Sequence, residues 1–159
     1  METGKIEIIE FNDELSSRFM ELNIAWLQKY FEVEPVDYKM LSDPREFIID
    51  KGGYIFFAMV DEHVAGTFAL LKEATAVYEL SKMAVSEKFQ GRKIGNAMLE
   101  FALTRARELR ADKIILYSNT ILEPAIHLYR KYGFKEVPIT SSLYKRSNIK
   151  MEIQLKIEK

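Results

Sequence analysis

The chain of 159 residues contains no cysteine. That excludes disulfides, cysteine-ligated metal centres and a thiol nucleophile. Histidine is nearly as scarce. His63 and His127 have no partner ligands at metal spacing, and no metal site is expected. An excess of one charge is missing too. Twenty-three Lys and Arg against 24 Asp and Glu leave a net charge of −1, which gives no support to nonspecific nucleic-acid binding. The longest apolar run, Tyr54 to Val60, falls far short of the ~20 residues that cross a bilayer. The opening METGKIEIIEF holds no apolar leader segment, so a cytoplasmic protein is the expectation. No repeat, linker or low-complexity run divides the chain. With 48% hydrophobic and 30% charged residues, residues 1–159 are expected to form one domain with a substantial core.

What is present is a clear alternation of elements. The isoleucines of Lys5 to Phe11 predict a first strand. Asn12 or Asp13 is placed to cap a helix, and Leu15, Phe19, Leu22, Trp26 and Tyr30 recur at helical spacing to about residue 30. Pro35 suits the first turn of a second short helix, and a further helical turn to about Asp50 ends at Gly52-Gly53. Three strands follow: Tyr54 to Val60, Val64 to Leu71 with a bulge at Gly66, and Thr75 to Val85. A helix from Gly91 to about Arg110 carries a broad apolar face, with Asn96, Glu100, Thr104 and Arg107 on its solvent side. The strand Lys113 to Ser118 completes a right-handed βαβ unit. A helix opening at Pro124 and stopped by Gly133 precedes two final strands, Phe134 to Val137 and Ile149 to Ile157.

The informative stretch is YELSKMAVSEKFQGRKIGNAMLE, Tyr78 to Glu100. A strand that turns tightly into a helix presents unpaired N–H groups and the positive end of the helix dipole, a ready site for phosphate. Gly91 and Gly95 have no Cβ, which lets a diphosphate approach the backbone. The segment Gln90-Gly91-Arg92-Lys93-Ile94-Gly95 resembles motif A of the GNAT superfamily, the acyl-CoA-dependent N-acyltransferases, whose pattern is Q/R-x-x-G-x-G/A. Lys93 stands where the family usually has glycine; it keeps the backbone N–H and adds charge and bulk. A second stretch, Asn119 followed by PAIHLYRKYGF from Pro124 to Phe134, resembles the family's N…A-x-x-L-Y-x-x-x-G-F motif. The expected order β-α-α-β-β-β-α-β-α-β-β is also the family order. The resemblance implies an α/β fold (a mixed α+β sheet, mostly antiparallel, splayed at the cofactor site and flanked by helices).

The resemblance also implies an activity: transfer of an acetyl or other acyl group from coenzyme A to a primary amine, by direct attack in a ternary complex. It implies that the amides of Gln90, Gly91, Arg92, Lys93, Gly95 and Asn96 hold the diphosphate, that backbone near Met83 and Val85 pairs with pantetheine, and that Asn119 lies near the cofactor. Tyr129 matches the position that often serves as the acid for the departing thiolate; the other reading is a tyrosine packed on the inner face of its helix. Glu79 lies at the spacing where some members carry a base, while a solvated strand glutamate is the alternative. For the acceptor, a small molecule or peptide amine, the family's regions here offer Tyr30, Phe31, Tyr38, Tyr144 and Arg146. Glu32, Glu34 and Asp37 read either as attraction for a cationic amine or, in the preferred reading, as a solvated acidic loop. Homodimers are frequent in the family. The competing functions are a non-catalytic acyl-CoA-binding regulatory module and an interaction domain without a cofactor.

Overall fold

The computed structural model describes residues 5–156. Seven strands form one sheet in the order β1 (Ile6–Glu10), β2 (Tyr54–Val60), β3 (His63–Ala74), β4 (Val77–Val85), β5 (Lys113–Ser118), β7 (Ile149–Gln154), β6 (Lys135–Val137). Every neighbouring pair is antiparallel except β4 and β5. This is the mixed, mostly antiparallel sheet that the element order predicts.

The chain enters through β1 (Ile6–Glu10) at one sheet edge. Asn12 then accepts the Leu15 amide at 3.2 Å and caps a 3-10 turn, which leads into α1 (Ser16–Tyr30). Phe19, Leu22 and Leu27 form the buried stripe of α1. Pro35 opens α2 (Pro35–Ser42), where its missing N–H costs nothing. The expected third helical turn is a single π turn, Arg45–Ile49.

β2 (Tyr54–Val60) and β3 (His63–Ala74) make a hairpin. β3 is longer than its apolar run suggests because only two residues turn the chain at each end, Asp61-Glu62 and Thr75-Ala76; Asp61 and Glu62 are both at positive φ, which matches the twist of the flanking strands. The bulge in this pair falls on Ala65, since Ala58 faces Gly66 while Met59 faces Val64. Gly66 has a different task. A Cβ there would lie 3.0 Å from Met98 Sδ and 3.1 Å from Ile94 Cγ2, so the bare backbone lets the long helix settle on the sheet.

β4 (Val77–Val85) runs beside β3, and α3 (Ile94–Glu108) returns over the sheet to β5 (Lys113–Ser118). The helix begins three residues later than the glycine pattern suggests, because Lys93 occupies a left-handed conformation and stands as its N-cap. α4 (Glu123–Lys131) ends at Gly133, whose φ of +103° lets the Phe134 amide reach back to the Tyr129 carbonyl at 3.0 Å. The short β6 (Lys135–Val137) and then β7 (Ile149–Gln154) close the sheet. β7 was expected to reach Ile157, which lies outside the described residues; the Leu155 and Lys156 amides turn instead to the Asp112 carbonyl.

The sheet separates two cores. Phe56, Phe68, Leu70 and Leu80 pack under Met98, Leu99 and Ala102 of α3. Ile55, Phe57, Ala69 and Leu71 face the other way, under Phe19, Leu22 and Leu41 of the first two helices. Strand alternation distributes β2 to both cores, so burial on two faces makes it a continuous apolar run. β4 and β5 reach between these cores, and their pairing sets up the site.

Candidate active site

β4 and β5 pair only over Val77–Glu79 against Lys113–Ile115. Past Glu79 each strand stays with its other neighbour, β4 with β3 as far as Val85 and β5 with β7 as far as Ser118. The separation has a local cause. Thr67 faces Ala84 while Ala69 faces Ser81, so β4 carries one extra residue, and Lys82 at φ +56° makes the bulge. Between the parted strands lies a cavity of about 510 Å³.

One end of this cavity is the start of α3. No side chain caps this helix, and the amides of Lys93, Ile94, Gly95 and Asn96 have no acceptor among the described residues. Unsatisfied donors and the positive dipole end there face the same space. Lys93 sits at φ +60°, the left-handed region where glycine is the unstrained choice. At Gly95 an added Cβ would meet only Leu128 Cδ2, at 3.6 Å, so the packing leaves room there. Met83, Val85, Gln90, Gly91, Lys93, Gly95, Asn96, Asn119 and Tyr129 all border the cavity. Arg92 does not; its guanidinium lies over the Phe89 ring, 5.1 Å from the centroid. Asn96 is half-buried and not on the solvent side. Its amide lies 3.4 Å from the Tyr132 hydroxyl, which donates to Glu100 at 2.6 Å. Asn119 is engaged at both ends, donating to the Arg146 carbonyl at 2.7 Å and accepting from the Ile121 amide at 2.9 Å.

Tyr129 packs against Phe134, ring centroids 5.8 Å apart, and its hydroxyl has no hydrogen-bond partner among the described residues. Burial pushes its phenol up to about 12, so it is protonated at neutral pH. Glu79 is not solvated; it is 2% exposed. Burial, with the nearby Glu73 charge, pushes its carboxyl up to about 7, while Lys82 and the Tyr144 and Ser81 hydroxyls pull the other way. Glu79 does not itself border the cavity; Ser81 and Tyr144 do, their hydroxyl oxygens 3.3 Å apart.

The other end of the cavity is built on a charge network. Lys82 Nζ donates to Asp37 Oδ1 at 2.6 Å, and Arg146 grips the same carboxylate through Nη1 and Nη2 at 2.7 and 2.9 Å. Arg146 Nη1 also reaches Glu34 at 3.0 Å. Glu34 accepts the Lys145 and Arg146 amides at 2.9 and 3.3 Å, which ties the 138–148 segment to the start of α2. Asp37 is fully buried. This burial would raise its carboxyl, but the Arg146 and Lys82 contacts outweigh it and hold the group down at about 2. The reading of Glu34 and Asp37 as a solvated acidic loop is therefore corrected: Asp37 is buried, Glu34 is partly buried, and both are ion-paired. Nothing in the sequence spacing joins Lys82 to Asp37, 45 residues away. The one signal was a lysine inside an apolar strand. Asn23, Ser81 and Tyr117 also border the cavity and carry no motif. Among the described residues no cluster of three or more His, Asp or Glu is placed to hold a metal ion, and no helix is long and apolar enough to cross a membrane.

Removing Asp37 leaves the buried Lys82 ammonium without a counter-ion and Arg146 with Glu34 alone. Asp37→Asn is expected to cost about 3–5 kcal/mol in urea unfolding at neutral pH. The Asp37 contribution has a defined sign with pH. It is fully present above the unfolded value of 3.8 and is lost as pH falls through about 2. The wild-type protein should therefore lose stability over that window more steeply than Asp37→Asn, and equal slopes would contradict the ion pair.

Comparison with known proteins agrees with this geometry. The yncA protein of Salmonella typhimurium, whose structure holds its cofactor acetyl-CoA, matches with a TM-score of 0.75 at 16% identity, covering 98% of this chain and 96% of that one. An acetyltransferase of the GNAT family from Staphylococcus aureus Mu50 matches with a TM-score of 0.85 at 22% identity, covering 96% of this chain and 100% of that one. In sequence, the uncharacterized N-acetyltransferase YvbK of Bacillus subtilis is 28% identical over 116 residues, which span 71% of this chain and 75% of the relative. The model of the acetyltransferase (GNAT) family matches residues 17–134. With three-quarters of its length under that model and its fold shared end to end, the chain belongs to the GNAT family of acetyltransferases.

Proposed function

We propose that this protein transfers the acetyl group of acetyl-CoA to the primary amine of a small molecule or peptide, by direct attack in a ternary complex. The observation that carries the reading is the uncapped α3 N-terminus opening on the same cavity as the unpartnered Tyr129 hydroxyl. The donors there suit a diphosphate, and Lys93 adds a counter-charge. Pantetheine would lie in the gap past Glu79, using β4 backbone near Met83 and Val85 that β5 has released.

The chemistry follows from the groups available. The amine nitrogen attacks the thioester carbonyl carbon, an N–C bond forms, and the C–S bond breaks. An alkyl ammonium with a pKa of about 10.4 must first lose a proton, which costs roughly 4.6 kcal/mol at neutral pH. Glu79 is the base in this reading, relaying through water past Ser81 and Tyr144, and its raised carboxyl suits the task. Tyr129 supports the departing sulfur. A phenol at about 12 is a weaker acid than a thiol at about 8.5, so it stabilises the thiolate by hydrogen bonding and does not surrender its proton outright. With no cysteine in the chain, the acyl group passes directly between substrates.

Thiol release from acetyl-CoA over a panel of amines tests the proposal; binding without turnover of any amine would leave a regulatory acyl-CoA module. Tyr129→Phe keeps the ring and removes the donor. It should lower kcat by about 10²–10⁴-fold with near-normal acetyl-CoA affinity and thermal stability. Full turnover in Tyr129→Phe would refute the role.

Glu79 predicts a pH dependence. As a base it must be ionised, so kcat/KM should rise with pH and level off above about 7, the value to which burial has moved it. Glu79→Gln should abolish that limb along with most of the rate. Persistence of the limb in Glu79→Gln would assign it to another group.

A further inference from the structure

The charged residues that border the cavity are Lys82, Lys93 and Arg146. All are cations, and no Asp or Glu joins them among the described residues. Lys93 belongs to the α3 end, leaving Lys82 and Arg146 at the other. Their carboxylate partners stand behind them: Asp37 is fully buried outside the lining, and Glu34 holds the Arg146 backbone from α2. The Lys82 side chain is itself only 2% exposed, so Arg146, at 17%, is the cation of this network that the cavity reaches.

Arg146 is not saturated by these contacts. Nη1 and one Nη2 proton are taken by Glu34 and Asp37, while Nε and the second Nη2 proton have no acceptor among the described residues. Tyr144 lies under both cations, its ring centroid 4.7 Å from Lys82 Nζ and 4.8 Å from Arg146 Cζ. That stacking, with the ion pairs, fixes the guanidinium before any ligand arrives. Trp26, Phe31 and Tyr117 supply apolar surface around the same cavity.

We infer that the acceptor is an amine that also carries a carboxylate, of the α-amino-acid class with an apolar or aromatic side chain, and that Arg146 receives the carboxylate. The inference rests on the acetyltransferase reading above. A polycation is disfavoured by the same geometry. Each additional ammonium would lose its water and meet cations with no lining carboxylate to replace it. A carboxylate meets spare guanidinium donors already held in place, the arrangement in which charge-assisted hydrogen bonds are strongest. The transfer itself is unchanged: the amine nitrogen bonds the acetyl carbon, its proton leaves to the base, and coenzyme A departs as thiolate.

The test is thiol release by the wild-type protein with acetyl-CoA and the standard α-amino acids. The best of them is then compared with its decarboxylated amine, its carboxamide and spermidine. The amino acid should exceed each of these in kcat/KM by about tenfold or more, equivalent to about 1.4 kcal/mol. Equal or better turnover of spermidine or of the decarboxylated amine, or no turnover of any amino acid, would overturn the inference. Calorimetry with acetyl-CoA on the same preparation separates the two levels. Binding with the wrong acceptor preference sinks only the acceptor class, whereas absence of binding sinks the acetyltransferase reading beneath it. In Arg146→Gln, KM for the amino acid should rise about tenfold more than KM for the decarboxylated amine, and Arg146→Lys should restore part of that difference. A uniform fall for both amines in a folded Arg146→Gln protein would reduce Arg146 to a structural tie.

Discussion

A lysine held in the left-handed region at the centre of a seven-stranded sheet is the constraint on which the rest depends. That conformation costs a non-glycine residue about 1–2 kcal/mol. A buried ammonium would cost more if it stood alone. Both are tolerated because Asp37 meets Lys82 Nζ at 2.6 Å and is itself locked by the Arg146 fork. With Lys82 anchored, β4 bulges and leaves β5 after Glu79, and the released edges become the walls of the cavity. One ion pair therefore couples α2, β4 and the 138–148 segment to the opening of the sheet.

The two ends of the cavity obtain their positive character in different ways. At the α3 end it comes from backbone, amides without acceptors at a helix start, with Lys93 beside them. Such a site is rigid and suits a group carrying several negative oxygens. At the other end it comes from side chains whose counter-ions lie out of the cavity's reach. Between them stand Tyr129, with an unpartnered hydroxyl, and the Ser81–Tyr144 pair leading back towards Glu79. Two carriers of charge, one at each end, would place their reacting atoms near the middle.

The fold and the turn that leads into α3 were largely legible in the sequence because their determinants are local. Helical spacing from Leu15 to Tyr30, the stop at Gly133 and the glycines of the β4–α3 turn each act within a few residues. Even there, local pattern misplaced the start of α3, because the left-handed Lys93 ends the turn where glycine periodicity suggested helix. The charge network was not legible. Its partners, residues 34, 37, 82 and 146, are brought together by topology alone, and a solvated acidic loop was the better reading of Glu34 and Asp37 in isolation. Glu79 lay between these cases: its position was readable from the spacing to Gln90, but it is buried in a sheet where it pairs with Ile115 of β5, which in turn pairs with Glu152 of β7.

The central claim is that the parting of β4 from β5 holds acetyl-CoA. A crystal structure of the protein grown with coenzyme A tests it directly. The account predicts pantetheine between the 83–85 backbone and residues 118–119, with the diphosphate on the amides that open α3. Coenzyme A bound elsewhere on the surface, with the cavity still empty, would contradict it.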